Sequence, residues 1–264
     1  MTWREFSFLR YKRYLLPAAV FTTLVAVSGY LSEVNLTDLW KGIFKGISLL
    51  ALFLPPDWSA SKEMIQSAIV TVLICLVATP IGAVFSIVFG LAAARNIAPR
   101  WLRLTARSLI AVERGLPEIV ILLVLVAAFG LGPFAAVMAL AVGSIGMLGK
   151  LLADAIEEID PRVLDSVAAV GATPWQVIRH AVLPEVLPAF VANSIFRFEV
   201  NIRASVLLGA VGAGGIGYEL NAAIIQLEYS RATVAALISL LLVFLSERVS
   251  DRLRSRVLRE VRSA

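Results

Sequence analysis

The 264-residue sequence has few charged residues: Asp, Glu, Lys and Arg make up 16% of the chain, while apolar residues make up 59%. A soluble domain contains about 25% charged and about 45–50% apolar residues, because polar surface must cover its core. With so little polar surface and a mean hydropathy of +0.86, the chain is expected to fold in lipid. The same figures exclude intrinsic disorder, since disordered chains are poor in apolar residues.

Cysteine and histidine are almost absent as well. The single cysteine, Cys75, cannot form an intrachain disulfide, and it could not complete a zinc site with the single histidine, His180. The apolar segments bring together no set of His, Cys or carboxylate residues, so a membrane enzyme is a weak hypothesis. We therefore predict no catalytic residues and no metal site.

Long uncharged runs predict membrane-spanning helices, because about 20 apolar residues cross a hydrocarbon core of about 30 Å. No clear Ala-x-Ala cleavage site follows the first run, which favours an uncleaved anchor over a signal peptide. A Gly-Leu-Gly-Pro break at 130–133 divides another run into two spans joined by a tight turn. The last span is expected to begin near Ile224, ahead of its most apolar part. The predicted fold is an all-α integral membrane protein with six transmembrane helices, at 15–32, 64–94, 108–130, 133–152, 186–211 and 232–246.

The net charge of +5 and the pI of about 9.7 could indicate a nucleic-acid-binding surface. The position of the charges favours another interpretation. With both termini in the cytoplasm, most of the 24 Lys and Arg residues lie on that side, as the positive-inside rule requires. No nucleic acid partner is therefore expected. The cytoplasmic basic residues are Arg4, Arg10, Lys12, Arg13, Arg95, Arg100, Arg103, Arg107, Lys150, Arg162, Arg179, Arg248, Arg252, Arg254, Arg256, Arg259 and Arg262.

The chain divides into three predicted parts. Residues 1–60 comprise the anchor helix and an amphipathic helix, which lies at the outer membrane interface or is a connector packed on protein. Residues 61–246 form the core, with a long cytoplasmic loop at 150–188. Residues 247–264 form a basic cytoplasmic tail, either a helix on the anionic inner leaflet or a solvated segment.

The long cytoplasmic loop contains two helix-start signals. Asp160-Pro161 combines an N-cap Asp with a Pro at the first helical position, and Thr173-Pro174 repeats the pattern. Gly171 is expected to end the first helix as its C′ residue, and Pro184 and Pro188 are expected to end the second stretch. Two short helices with an exposed apolar face predict a docking surface for a cytoplasmic partner, and a folded loop that caps the helix bundle is the alternative.

Two glycine-containing segments resemble nucleotide-binding motifs without their context. Gly212–Gly217 reads G-x-G-x-x-G, but it follows an apolar span and lacks the acidic residue expected about 20 positions later. Non-helical backbone that lines protein or a water-filled cavity is the better interpretation of this periplasmic-side segment. Gly149-Lys150 precedes Leu151 and lacks the rest of a P-loop, so no ATP site is expected in this chain. The glycines of the periplasmic-side loop are Gly212, Gly214, Gly215 and Gly217.

Charged residues inside an apolar span are costly, about 2.5–3.5 kcal/mol for Arg at the helix centre on insertion scales. Glu199 and Arg203 have i,i+4 spacing and can pair on one helix face. With Arg197 and Asn201 they predict either an anion pathway, where arginine suits a phosphate-like ligand, or an ion-paired network that fixes helix register or a gate.

A second charged pair lies near the cytoplasmic start of the third span. Arg114 and Glu118 also have i,i+4 spacing, and they predict a gate or pathway pair or, alternatively, two snorkelling charges. In the next span, Gly143, Gly146 and Gly149 share one helix face, and small residues in that arrangement favour close helix packing.

Several stretches of the sequence resemble the phosphonate-type permeases of ABC importers. Asp165–Gly171, followed after nine residues by Ala181–Pro184, is similar to their EAA loop, with Asp165 in place of the usual Glu. The more specific match is Arg197–Ser205 in the fifth span, and the resemblance covers about residues 60–250. The supporting stretches are Arg95-Asn96, Arg114–Glu118, Gly149–Leu151, Ala155–Pro161 and Val211–Gly217.

This resemblance implies a permease with the type I ABC importer fold, in a prokaryotic cell membrane. Two copies of the subunit would form the pathway, and an extracytoplasmic binding protein would deliver phosphonate, phosphate or a related oxyanion. Two cytoplasmic ATPase subunits would dock on the EAA-like loop and bind ATP and Mg²⁺, so this chain would hold no cofactor. The coupling residues implied are Glu157, Glu158, Asp160, Asp165, Gly171, Ala172, Pro174, Leu183 and Pro184.

Two alternatives remain open at this point. A permease of the same type could carry methionine or an amino-acid-like solute. A channel or ion-coupled transporter that works alone is less favoured, because the sequence contains no filter or gating motif.

Overall fold

The computed structural model describes residues 8–263 and, within them, all side chains except those of 8–13, 36, 39 and 260–263. Of the predicted cytoplasmic cations, Arg4 and the side chains of Arg10, Lys12, Arg13 and Arg262 lie outside the described residues. All regular secondary structure between residues 8 and 263 is helical. The chain divides after Leu52 into two units.

The first unit contains two helices, α1 (Phe8–Leu31) and α2 (Leu36–Leu52). Residues Tyr14–Leu31 of α1 have a mean hydropathy of 1.6, and this stretch is long and apolar enough to cross a membrane. Asn35 caps α2, because its Oδ1 accepts the backbone N–H of Thr37 at 3.0 Å. The predicted amphipathic helix is therefore present, and its position at the membrane interface stays a prediction.

The second unit opens with a 3₁₀ turn at Trp58–Ala60 and continues with helices of very different length. Four of its stretches are long and apolar enough to span a membrane: Trp58–Ala93, Pro133–Glu157, Pro174–Ala213 and Tyr229–Arg259. In chain order the helices are α3 (Ser61–Ala93), α4 (Arg100–Gly115), α5 (Glu118–Phe129), α6 (Pro133–Glu157), α7 (Pro161–Ala169), α8 (Pro174–Val177), α9 (Leu183–Leu208), α10 (Ile216–Ile225) and α11 (Tyr229–Ser263).

Helix α6 lies at the centre of this unit, where it packs along α3 and against α4, α5 and α9. Its inward side is built from small buried residues such as Ala135, Ala136 and Ala139. A Cβ on Gly82 of α3 would lie 2.7 Å from the Ala141 carbonyl oxygen of α6, so the two helices approach closely. Close packing of this kind holds membrane helices together, because lipid provides no hydrophobic drive for their association.

The third predicted span, 108–130, consists of two helices. Helix α4 ends at Gly115, and α5 begins at Glu118, since Leu116 and Pro117 adopt extended conformations with ψ of 129° and 136°. A residue before proline is pushed out of the helical region by the proline ring, which accounts for the break. The apolar part, α5, has only 12 residues.

The last span begins later than predicted. Ile224 belongs to α10, which ends at Ile225, and the backbone turns at Leu227 with a φ of +62° before α11 starts at Tyr229. From there α11 continues without a break to Ser263, so the described part of the basic tail prolongs the spanning helix.

Pro184 and Pro188 do not end the helix that starts after Thr173. The chain passes from α8 through a wide π-helical turn, Ile178–Val182, directly into α9. In this turn the Leu183 N–H donates to the Ile178 carbonyl, five residues earlier. This one-residue shift places the ring of Pro184 at the start of a new helical register, where a proline is tolerated.

Candidate functional site

Polar side chains from three helices meet near the middle of the membrane-spanning region. Thr79 is the central residue of the uncharged stretch 64–94 in α3. Asn201 of α9 donates from Nδ2 to Thr79 Oγ1 at 2.8 Å and to Ser144 Oγ of α6 at 3.1 Å, and Arg197 Nε donates to the same Ser144 oxygen at 3.0 Å. Because hydrocarbon offers no hydrogen-bond partners, the donors of Asn201 and Arg197 depend on these hydroxyl oxygens. In the described structure Asn201 Oδ1 has no partner.

Arg197 is the buried cation of this network. Its Nη2 lies 2.6 Å from Glu118 Oε1 of α5, and its Nη1 contacts the Met147 sulfur of α6 at 3.5 Å. The predicted pairing of Glu118 with Arg114 is therefore wrong. The break at 116–117 removes the i,i+4 relationship, and among the described side chains no carboxylate lies within 4 Å of the exposed Arg114 guanidinium.

The glycine face of α6 provides the space for two carboxylates. A Cβ on Gly143 would lie 2.9 Å from both Glu118 Oε1 and Arg197 Nη2, and a Cβ on Gly146 would overlap Glu113 Oε2. These glycines therefore allow more than close helix packing, since they make room for charged groups. The sequence had not singled out Glu113, whose buried Oε2 has no hydrogen-bond partner in the described structure, because it belongs to an amphipathic helix rich in charge.

Arg203 has different surroundings from Arg197. It pairs with Glu199, one turn earlier on α9, as the spacing predicted, and its Nη2 lies 3.9 Å from Glu247 Oε2 of α11. The Glu199 side chain is only 6% exposed, but Arg203 is 49% and Glu247 52% exposed. Charges with this much free surface at membrane depth are expensive against hydrocarbon, so this face is expected to meet water or protein.

The Gly212–Gly217 segment interrupts the helical structure between α9 and α10. Three of its glycines have φ between +73° and +95°, a region that other residues rarely adopt. The Ile216 N–H that follows them donates to Thr71 Oγ1 at 3.0 Å, and Thr71 lies roughly 15 Å along α3 from its start at 1.5 Å per residue. The segment is thus non-helical backbone packed on protein, as predicted, although Gly217 already belongs to α10.

The local signals of the loop at 150–188 are confirmed. Asp160 caps α7 by accepting the Arg162 backbone N–H. Hydrogen bonds from the Arg162 side chain, and then from its backbone, hold the pKa of Asp160 below its usual value. Thr173 forms a capping box with Gln176 at the start of α8, and Gly171 between the helices has a φ of +83°.

This loop carries an exposed apolar surface, whose largest exposed side chains are Val170 and Trp175. The predicted coupling residues Glu158, Asp165, Ala172, Pro174, Leu183 and Pro184 are exposed or half-exposed around it.

Glu157, also predicted as a coupling residue, is directed into the protein. It is the last residue of α6, and its carboxylate accepts the Arg95 backbone N–H at 2.7 Å and pairs with the Arg107 guanidinium. Asn96 donates to the Ile156 carbonyl at 2.7 Å beside it. The contacts of Glu157 therefore connect the α3–α4 turn to the end of α6.

Comparison with known proteins identifies the family. Residues 86–259 match the model of the binding-protein-dependent transport system inner membrane component. The chain belongs to this family. Among the curated relatives of this inner membrane component is the phosphite transport system permease protein PtxC of Stutzerimonas stutzeri, 39% identical over 90% of the chain and 86% of PtxC.

Another relative of the inner membrane component is longer than the chain. The phosphate-import permease protein PhnE of Mycolicibacterium smegmatis is 42% identical over 229 residues. The match covers 86% of this chain and 43% of PhnE, so the chain spans less than half the length of that relative.

The fold of this inner membrane component is similar to one solved in the MetNI methionine ABC transporter in its inward-facing conformations. The TM-score is 0.67 at 26% identity, over 76% of this chain and 99% of the other. The predicted all-helical membrane fold and the resemblance to permeases of the type I importer fold are thereby confirmed.

Proposed function

We propose that this chain is the permease subunit of an ATP-driven importer, and that two copies form a pathway for phosphonate, phosphate or a related oxyanion. The subunit crosses a prokaryotic plasma membrane several times, with both termini in the cytoplasm. A binding protein delivers the anion from outside, and two ATPase subunits bind ATP and Mg²⁺ inside. The relatives named for phosphate import and phosphite transport support an oxyanion over methionine, because they are the more similar in sequence.

The exposed guanidinium of Arg203 is the observation that carries this proposal. A guanidinium presents paired N–H donors that match the oxygens of a phosphate-like group. Glu199 holds the side chain from its buried side and is itself almost unexposed, so Arg203 separates the carboxylate from the pathway. Repulsion of the anion by Glu199 is reduced accordingly.

Arg197 has a structural role in this scheme. Its guanidinium is enclosed by Glu118, Ser144 and Met147, and it presents almost no free surface to a solute. Together with Asn201, it ties α5, α6 and α9 in one register. The sequence had placed these residues in one group with Arg203, and their burial separates the two roles.

Arg203→Gln is expected to reduce oxyanion uptake about 10- to 150-fold, the loss that follows from about 1.5–3 kcal/mol for a hydrogen bond to a charged group. Uptake is measured in vesicles that contain the permease, its ATPases and its binding protein. Competition by phosphate, phosphite and methylphosphonate defines the oxyanion, and methionine is the competitor for the alternative substrate.

Arg203→Gln leaves Glu199 without its cation, which could impair assembly of the complex. A second variant therefore distinguishes a role of Arg203 in the pathway from a role in assembly. In Arg203→Gln/Glu199→Gln no buried charge is left unpaired, and the remaining Glu247 is 52% exposed, so the complex is expected to assemble with normal basal ATPase activity and still to lack uptake. Restored uptake in this double variant would show that Arg203 serves only to neutralise Glu199. If methionine inhibits uptake and none of the oxyanions does, the alternative substrate is assigned.

Gly171→Asp is expected to uncouple transport from ATP hydrolysis. The substitution places a Cβ at a φ of +83°, which costs about 1–2 kcal/mol, and adds a charge beside the exposed Val170. Uptake should fall roughly tenfold while the ATPases bind less tightly. Ser255→Asp is the control, because it adds the same charge to exposed, helical backbone of α11, outside this loop. Normal uptake with normal ATPase co-purification in Gly171→Asp would remove this loop from the docking surface.

A further inference from the structure

A small cavity with a basic rim lies between α4, α6 and the end of α3, on the side that the charge distribution assigns to the cytoplasm. Its volume is about 140 Å³, enough for roughly four or five water molecules at about 30 Å³ each. Its apolar floor is formed by Ala93, Ile110 and Ala153, which are buried. Its rim is formed by Arg107, Arg114 and Lys150, and Ala111 completes the lining.

The three cationic side chains of the rim come from two neighbouring helices, α4 and α6. Arg107 and Arg114 lie seven residues apart, two turns along the same face of α4, with the buried Ile110 between them. Lys150 enters from α6 on the opposite side. The lining contains three cationic side chains and no carboxylate.

Nearby carboxylates neutralise two of these cations. Glu157 pairs with Arg107, and Asp154 pairs with Lys150 across one helical turn. Arg107 also donates from Nε to the Ala93 carbonyl at 2.9 Å, which fixes its position at the rim. Among the described side chains, Arg114 has no carboxylate within 4 Å. The adjacent Glu113 interacts with it only at longer range, so Arg114 is the rim cation with the most charge left for a ligand.

We propose that this cavity binds a tetrahedral phosphate-type anion, held by Arg114 with Arg107 and Lys150. Guanidinium and ammonium groups around one small cavity give charge-assisted hydrogen bonds to such an anion. The phosphate-type group could come from two sources: a free oxyanion on the cytoplasmic side, or the headgroup of an anionic lipid of the inner leaflet. The free-anion source rests on the proposed function, and the lipid source does not.

The test compares the full-length permease, purified in a neutral detergent, with its Arg114→Gln variant. The melting temperature is measured with increasing millimolar sodium phosphate at constant ionic strength, and separately with phosphatidylglycerol, since a ligand stabilises the folded state it binds. We expect one of these additions to raise the Tm of the wild-type protein and to leave that of Arg114→Gln unchanged. Arg100→Gln removes the same charge from an exposed position of α4 outside the cavity, and it should respond like the wild type.

The outcomes decide both the site and its source. A response to phosphate that depends on Arg114 assigns a free anion, and a response to phosphatidylglycerol alone assigns a lipid headgroup. Equal responses in Arg114→Gln and the wild type, or no response to either addition, would overturn the proposal. The response should persist in Arg203→Gln, whose substitution lies in the mid-membrane pathway, so a failed uptake assay would overturn the proposed function and leave this site standing.

Discussion

Arg197→Met is expected to lower the stability of the permease and its folded yield in the membrane strongly. Among the described side chains, Arg197 is the only cation within 4 Å of Glu118, whose carboxylate lies against Gly143 of α6, and the substitution removes it. Breaking a buried ion pair by removing one partner costs about 3–5 kcal/mol, because the remaining charge has no compensation. The side chain of Glu118 is 30% exposed, so the lower end of this range is expected. This cost is a large fraction of the net stability of about 5–15 kcal/mol that is typical of folded proteins. The measurements are the yield of monodisperse protein in detergent and its Tm.

The double variant Arg197→Met/Glu118→Gln is expected to recover much of the loss. It contains no unpaired charge, and Met has a length similar to that of the arginine stem. Arg162→Met is the matched control, because Arg162 also pairs with an acid, Asp160, but its side chain is 90% exposed, and such surface pairs contribute about 0–1 kcal/mol. A stable Arg197→Met protein that lacked only uptake would contradict the structural role and place Arg197 in the pathway.

Local patterns were the part of this structure that could be predicted from the sequence. The N-caps Asp160 and Thr173, the left-handed Gly171 and the pairing of Glu199 with Arg203 all follow from residues within four positions of one another. The spans were predictable for a similar reason, since hydropathy is summed over neighbouring residues and the lipid imposes one length on all of them. The predicted bounds of the spans were wrong where a proline or a turn separates neighbouring helices.

Long-range pairings could not be predicted in this way. Arg197 pairs with Glu118, which lies 79 residues earlier in the sequence, and Asn201 donates to Thr79, which lies 122 residues earlier. The i,i+4 rule assigned Glu118 to Arg114 because it assumes one continuous helix, and the extended Pro117 invalidates that assumption. The packing of α5, α6 and α9 decides which buried acid pairs with which buried base. A single sequence does not give the distances between these helices.

Gly217→Ala is expected to be the most disruptive addition of one methyl group in the second unit. The new Cβ would lie 2.8 Å from the Val206 carbonyl carbon, and nearer still to its oxygen. Both atoms belong to the backbone of α9, so no side chain can rotate away to relieve the overlap. Helix α10 would have to move from α9, which puts the hydrogen bond from Ile216 to Thr71 at risk.

The expected cost is about 1–3 kcal/mol for overpacking, with a further loss if that hydrogen bond breaks, so both the Tm and the uptake rate should fall. Gly115→Ala is the control, because no atom lies within 4 Å of its new Cβ and alanine favours a helix over glycine by about 1 kcal/mol. It should leave the Tm unchanged or raise it. Unchanged Tm and uptake in Gly217→Ala would mean that α10 does not lie this close to α9. In that case, the non-helical segment before it would not be held at membrane depth by this contact.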